Sequence, residues 1–206
     1  MGLSVTPFKL VLASASPRRL DLLKQIGIEP FACLSADLDE TPITSELPRE
    51  LAKRLALAKA LACLEPARSR LPDAPFLVLA ADTVVAAGRR ILPKAETVSE
   101  AEACLDLLSG RAHRVFTGVC IASSDGTIRQ RLVETRVTMK RLSFEERKAY
   151  LASGEWQGKA GGYAIQGRAA AFVLDLSGSY SGVVGLPLYE TAQMLAGFGT
   201  TVTGAP

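Results

Sequence analysis

The sequence is short of several things, and each shortage removes a class of function. It holds one histidine, His113, and aromatic residues make up only 6% of it. One histidine cannot supply an ordinary zinc site, and the four cysteines offer no help. Cys33, Cys63, Cys104 and Cys120 stand 30, 41 and 16 residues apart with no Cys-x-x-Cys pair. They read instead as small buried apolar residues in a reducing compartment. Charge of one sign is also scarce. Lys plus Arg is 24 and Asp plus Glu is 21, so the formal charge is +3, too small for wholesale nucleic-acid binding. Basic and aromatic residues are not interleaved in any stretch, which argues against a single-strand groove as well. No uncharged apolar run approaches the ~20 residues of a membrane helix.

The N-terminal stretch MGLSVTPFKLVLASASPRR lacks a basic region before its apolar run, so it is not read as a signal peptide. Met1-Gly2 through Thr6 formally matches a myristoylation pattern of low specificity. Two motifs are missing too. GxxxxGK[ST] is absent: the nearest string, Gly154 to Ala160, is one residue short and lacks the metal-binding hydroxyl. GxSxG is absent as well, because Gly178-Ser-Tyr-Ser-Gly182 has tyrosine at its centre, and His113 is therefore read as structural. The expectation is a cytoplasmic protein with neither a membrane nor a nucleic-acid partner.

What is present is an ordinary globular composition, 48% hydrophobic and 22% charged over 206 residues, which excludes disorder. That length suits one domain or two closely packed lobes. Phe8–Ala13 reads as a strand, and Ser16 then caps a helix with Pro17 at its first position and Gly27 past its end. A second helix is expected over Leu47–Leu64. Phe76–Ala81 reads as a doubly covered strand ending at Asp82. Val84-Val85 and Ile91-Leu92 suggest a small hairpin. Ser99-x-x-Glu102 and Ser143-x-x-Glu146 fit capping boxes, for helices ending near Gly110 and Gly154. Val115–Ala122 and Ile128–Arg141 should pair around Asp125-Gly126. Ala170–Leu176 reads as a strand and Leu188–Leu195 as a last helix. The fold class is α/β with a sheet of mixed direction.

Four features could carry chemistry. Arg18-Arg19 stand in the first turn of a helix, where a cation is misplaced by roughly 0.3–1 kcal/mol. Either they point to solvent, or an anion sits there on free N–H groups, the Ser14 and Ser16 hydroxyls and both guanidiniums. Asp82, placed at a strand end, is either a turn residue or an active-site carboxylate. The run Asp37-Leu38-Asp39-Glu40 is either a solvated loop or, with Asp82, a site for magnesium or manganese, the cations that all-oxygen ligands favour. Lys59 interrupts the apolar string LALAKALA, where a snorkelling side chain is the simplest reading. Lys94 follows the hairpin and Lys159 lies in a glycine-rich loop; convergence of these cations would suit a triphosphate.

In order along the chain, Leu12-Ala-Ser-Ala-Ser-Pro-Arg-Arg19, Asp39-Glu40, Ala81-Asp-Thr-Val-Val85, Ser109-Gly110, Tyr163-Ala-Ile-Gln-Gly167 and Gly178–Pro187 together resemble the Maf family of nucleoside triphosphate pyrophosphatases. The resemblance spans roughly Lys9 to Phe198. It implies an α/β fold of the inosine triphosphate pyrophosphatase type: one domain over residues 1–206, elongated, with two lobes around a central cleft, and a homodimer. It also implies hydrolysis between the α and β phosphates. Asp82 matches the position of the general base, and a carboxylate there could also ligate the metal with Glu40. Arg18, Thr83 and Gln166 match positions that set base preference. Ser14, Arg19, Lys59, Lys94 and Lys159 match phosphate-binding positions. Asp82-Thr83 and Tyr163–Gly167 are similar to the branch acting on dTTP and UTP, with CTP also in scope. The alternatives are the 7-methyl-GTP branch and a nucleotide-binding division regulator without turnover. One departure stands out: Pro93-Lys94-Ala95 replaces the family's Gly-Lys-Pro and constrains the Lys94 backbone differently.

Overall fold

The computed structural model describes residues 8–199, so the N-terminal myristoylation pattern lies outside the described residues. In chain order the elements are β1 (Lys9–Ala13), α1 (Pro17–Gln25), β2 (Ala32–Leu34), α2 (Pro48–Ala62), α3 (Leu64–Arg70), β3 (Phe76–Ala87), β4 (Arg90–Leu92), β5 (Lys94–Ala95) and α4 (Val98–Leu108). There follow β6 (Ala112–Ser123), β7 (Ile128–Met139), α5 (Phe144–Ser153), β8 (Lys159–Ala160), β9 (Val173–Ser177), α6 (Tyr180–Val184) and α7 (Leu188–Ala196). One mixed sheet runs β2-β1-β3-β6-β7-β9, with β4 paired to β3, while β5 and β8 form a separate ribbon. β1 is parallel to β2 and β3, and the pairs β3–β6, β6–β7 and β7–β9 are antiparallel. The expected mixed α/β architecture is therefore present. No helix among the described residues is long and apolar enough to cross a membrane.

Period-two alternation decides which side of the sheet each element covers. On β3, Val78 and Ala80 pack with Ala56, Ala60 and Cys63 of the α2 side, and Val84 and Ala86 pack with Leu51, Ala52 and Leu55. Leu77, Leu79 and Ala81 point the other way, against Leu22 and Leu23 of α1 and Met194 and Leu195 of α7. α2 lies directly on β6 because Gly118 has no side chain: a Cβ there would stand 2.3 Å from the Ala52 carbonyl oxygen.

Several boundaries differ from the sequence expectation. The helix expected over Leu47–Leu64 stops at Ala62, and Cys63 caps both it and α3. Pro66 explains the break, since it has no N–H to bond the Ala62 carbonyl. α4 uses the earlier of two overlapping capping patterns, Thr97 and Glu100 rather than Ser99 and Glu102. The Glu100 carboxylate accepts from the backbone of both Glu96 (2.9 Å) and Thr97 (3.0 Å), which satisfies two donors at once. Ser143 and Glu146 cap α5 as expected, and Gly154 closes it. Ala170–Leu176 divides into a 3₁₀ turn, Arg168–Phe172, and β9.

The most consequential correction concerns Asp82. It is not at the end of a strand: β3 continues to Ala87, with Asp82 paired to Gly118 and Thr83 to Thr117 on β6. The polar pair resembles a terminator only because each residue faces a different side. On its other edge β3 pairs β1 over Phe76–Leu79 and β4 over Val85–Ala87. Between those two stretches its edge is open, and Asp82 and Thr83 sit in the gap. The carboxyl-end rule holds for β1, whose end opens the gap, rather than for β3.

Candidate active site

A cleft of about 400 Å³ opens at this gap. Its lining includes Ser14, Arg18, Arg19, Glu40, Lys59, Asp82, Thr83, Lys94, Lys159 and Gln166, so every residue to which the family resemblance gives a role reaches it, whereas Asp37 and Asp39 of the acidic run do not. The volume suits a small polar ligand.

Alternation along β3 divides the cleft. Asp82 shares the α2 side with Val84 and Ala80; Thr83 shares the opposite side with Ala81. On the first side lies the charged cluster. Lys59 does not snorkel; its ammonium lies between two carboxylates, 2.5 Å from Asp82 Oδ1 and 2.6 Å from Glu40 Oε1. Glu40 also pairs with Lys94 through Oε2. Burial opposes ionisation of Glu40, but the hydrogen bonds from Lys59 and Lys94 outweigh it and hold the carboxyl at about 2. Of the acidic run, Glu40 alone is drawn into this cluster; Asp39 accepts from the Thr41 backbone at 2.9 Å.

Lys94 reaches the cluster despite its flanking proline. Pro93 needs no N–H here, and its carbonyl accepts from Gly161 at 3.0 Å. In the β5–β8 ribbon Lys94 pairs with Ala160 and Ala95 with Lys159, so two lysines distant in sequence are neighbours. Gly161 and Gly162 then turn the chain with φ of +70° and +67°. A Cβ on Gly161 would stand 2.8 Å from Val85 Cγ1, so only glycine brings this loop so close to β3.

Arg18 and Arg19 differ in role. Arg19 donates from Nε to the Gly185 carbonyl at 2.8 Å and from Nη1 to Ser14 Oγ at 3.1 Å. It clasps the β1–α1 loop to the turn after α6. Burial lowers its pKa, opposed by Asp82 and Glu40 and reinforced by Arg18. Among the described residues the Arg18 guanidinium has no hydrogen bond or ion pair, and burial lowers its pKa as well. Lys159 is likewise lowered, first by burial and then by Arg18. These two cations face a common space, where Glu96, also in the cleft lining, partly offsets the lowering of Lys159. Ser16 occupies the N-cap position of α1 but makes no side-chain capping bond. Pro17 has no N–H and the Arg19 N–H donates to the Ser16 carbonyl at 3.2 Å, so the Arg18 N–H is the one first-turn donor left for another acceptor.

On the second side, Thr83 Oγ1 lies 3.1 Å from Thr117 Oγ1, and Thr117 donates to the Gly182 carbonyl at 2.8 Å. Gln166 is exposed at the mouth, in the Tyr163–Gly167 stretch. That stretch is anchored from below by residues no motif had marked. Tyr150 Oη accepts from Ala164 N–H at 3.0 Å, and His113 Nε2 meets Tyr163 Oη at 2.8 Å. His113 is structural, as expected. At 2% exposure, burial holds its pKa down at about 4, and Nδ1 has no partner. Because the folded imidazole binds its proton only at about 4, unfolding takes up a proton below about pH 6.5. Stability should therefore fall by up to about 3 kcal/mol as pH drops from about 6.5 to 4. Denaturant titrations of wild type and His113→Phe across that window check it: the variant should lose stability less steeply, and an unchanged slope would assign the acid sensitivity elsewhere.

Residues 9–198 match the family described as Maf-like protein. A dTTP/UTP pyrophosphatase of Mesorhizobium japonicum (strain LMG 29417 / CECT 9101 / MAFF 303099) is 61% identical over 191 residues, covering 93% of this chain and 92% of that one. A dTTP/UTP pyrophosphatase of Rhodopseudomonas palustris (strain ATCC BAA-98 / CGA009) is 62% identical with the same coverage. Among solved structures, a HAM1 protein from Coxiella burnetii superposes with a TM-score of 0.51 at 16% identity, over 92% of this chain and 99% of that one. This likeness concerns the fold alone. The family match and the high identity of the two relatives give one answer: the chain belongs to the Maf-like protein family.

Proposed function

We propose that this protein hydrolyses dTTP and UTP between the α and β phosphates, giving the monophosphate and pyrophosphate. The observation that carries the reading is the Glu40–Lys59–Asp82 cluster, with its 2.5 and 2.6 Å contacts, inside the cleft that Arg18 and Lys159 also line. Hydrolysis of a phosphoanhydride needs positioning, charge neutralisation and a proton acceptor rather than a covalent intermediate. Asp82 is the acceptor, orienting a water and taking its proton. Arg18, Lys59, Lys94 and Lys159 bind the polyphosphate and neutralise charge developing on pyrophosphate. Arg19 and Ser14, already bonded to each other, hold the β1–α1 loop in shape for the phosphates. Thr83 and Gln166, across the strand, read the base. The names borne by the two relatives support the choice of dTTP and UTP over 7-methyl-GTP and over a non-catalytic regulator.

A divalent cation, magnesium or manganese, fits this donor set. Glu40 Oε1 and Asp82 Oδ1 converge on one point, filled by the Lys59 ammonium, which would have to move off toward the phosphates for a cation to bind there. Among the described residues no group of three or more His, Cys, Asp or Glu could hold a metal alone. Two carboxylates with substrate oxygens and water are the usual complement for magnesium. Glu40 and Asp82 would hold the cation, which when bound would neutralise phosphate charge and polarise the phosphoryl oxygens. The four free cysteines, three of them buried, support the expectation of a reducing, cytoplasmic setting. Assembly as a homodimer completes the proposal.

Pyrophosphate release from dTTP, UTP, CTP, 7-methyl-GTP and ATP, with and without magnesium or manganese, tests the reading. Turnover of dTTP and UTP that disappears with the metal is the expected result. Release from 7-methyl-GTP alone would move the protein to the other branch, and a folded protein silent across the panel would make it a binder.

A further inference from the structure

We propose that Thr117, which touches no part of the cleft's charged cluster, makes the site select pyrimidines carrying a hydrogen on N3, favouring uracil and thymine over cytosine. The proposal rests on the pyrophosphatase reading above and concerns how its base preference is enforced.

The argument follows one hydrogen. Thr117 lies opposite Thr83 in the β3–β6 register and is 1% exposed. Its Oγ1 stands 2.8 Å from the Gly182 carbonyl oxygen, which can only accept, so the single Thr117 hydroxyl hydrogen is committed there. The 3.1 Å contact between the two threonine hydroxyls must then use the hydrogen of Thr83. Thr83 has no second hydrogen and presents only lone pairs to the cleft.

Nothing lets this chain of hydroxyls reverse. Gly182 is itself held, its N–H donating to Ser179 Oγ at 3.0 Å, and a Cβ there would stand 3.1 Å from Ser179 Cβ. Reversal would leave a buried carbonyl unpaired, at a cost that disfavours it. A valine at position 117 would fill nearly the same volume but leave the Gly182 carbonyl and the Thr83 hydroxyl without their partner.

An acceptor fixed beside the base has a definite consequence. Uracil and thymine present an N–H at N3 flanked by two carbonyl oxygens, which pair with the Thr83 lone pair and the Gln166 amide N–H groups. Cytosine presents a bare nitrogen at N3, so two acceptors would meet with no hydrogen between them. Sites built around a polar pairing reject analogues that lack it far more strongly than apolar pockets reject a shape change. Thr117 is thus a positioning residue acting through Thr83.

The test compares kcat/KM for UTP and CTP. In wild type UTP should be strongly favoured. In Thr117→Val the Thr83 hydroxyl is free to rotate and donate, so the UTP-to-CTP ratio should fall tenfold or more, while Thr117→Ser keeps the wild-type ratio. A purely structural role would change melting temperature and active fraction but leave the ratio within twofold in Thr117→Val, and that result overturns the proposal. Wild-type turnover of N3-methyl-UTP supplies a readout independent of any variant. It should be at least tenfold below UTP, and equal turnover would overturn the assignment. Absence of UTP turnover by wild type would instead remove the pyrophosphatase reading itself.

Discussion

Asp82→Asn should leave a folded protein that releases almost no pyrophosphate. Losing a positioned general base costs roughly 10²–10⁴ in rate. The substitution keeps the shape of the side chain, and Lys59 retains Glu40 at 2.6 Å as a partner, so the buried ammonium is not stranded. Thermal melting should consequently change far less than turnover. Steady-state kinetics on dTTP beside a melting curve separates the two. A kcat within tenfold of wild type would remove Asp82 from the role of base, whatever the binding of nucleotide.

Gly118→Ala is the second large effect, on stability. Its Cβ would lie 2.3 Å from one backbone oxygen and 2.7 Å from the Ala52 carbonyl carbon, and backbone cannot rotate away as a side chain can. Overpacking a core typically costs 1–3 kcal/mol, and the upper end, about 3 kcal/mol, is expected here. For a chain of this size that is a loss of about 10 °C in melting temperature. Gly88→Ala makes the comparison: with nothing within 4 Å of its Cβ, its cost is only the strain of a φ of +62°. Equal losses in the two variants would show that close approach is not what Gly118 provides. Since α2 carries Lys59, whatever lifts the helix off Gly118 also moves the ammonium away from Asp82, and kcat should fall with stability.

Local signals made about half of this site legible in the sequence. A short strand, a serine-bearing loop and a helix opening with Pro17-Arg18-Arg19 raise an anion site as one of two readings, the other being solvated arginines. Capping patterns and the Asp125-Gly126 turn set the α4, α5 and β6–β7 boundaries to within a few residues, because those interactions close within the same few residues. Asp82 was visible as a polar residue in an apolar run, yet its place inside β3 was not, since the pairing that extends the strand comes from β6, some forty residues on. The inward turn of Lys59 was equally hidden: LALAKALA states that a charge interrupts a helix face, and only the meeting with Glu40 and Asp82 states why. Thr117, Gly182 and His113 carry no local signal. What they do depends on which hydroxyl or ring nitrogen lies opposite, and that is set by the register of the sheet.

That register has a further consequence. Asp82 and Thr83 are adjacent, and the pleat alone turns one toward Lys59 and the other toward Thr117, which are the two tasks the proposed function gives them. The strand works as a reading frame. Removing one residue between Phe76 and Ala81 would present the threonine to Glu40 and Lys59 and the aspartate to Thr117, exchanging the two tasks in one step. No single substitution repairs such a shift, whereas removing two residues restores each side chain to its own face.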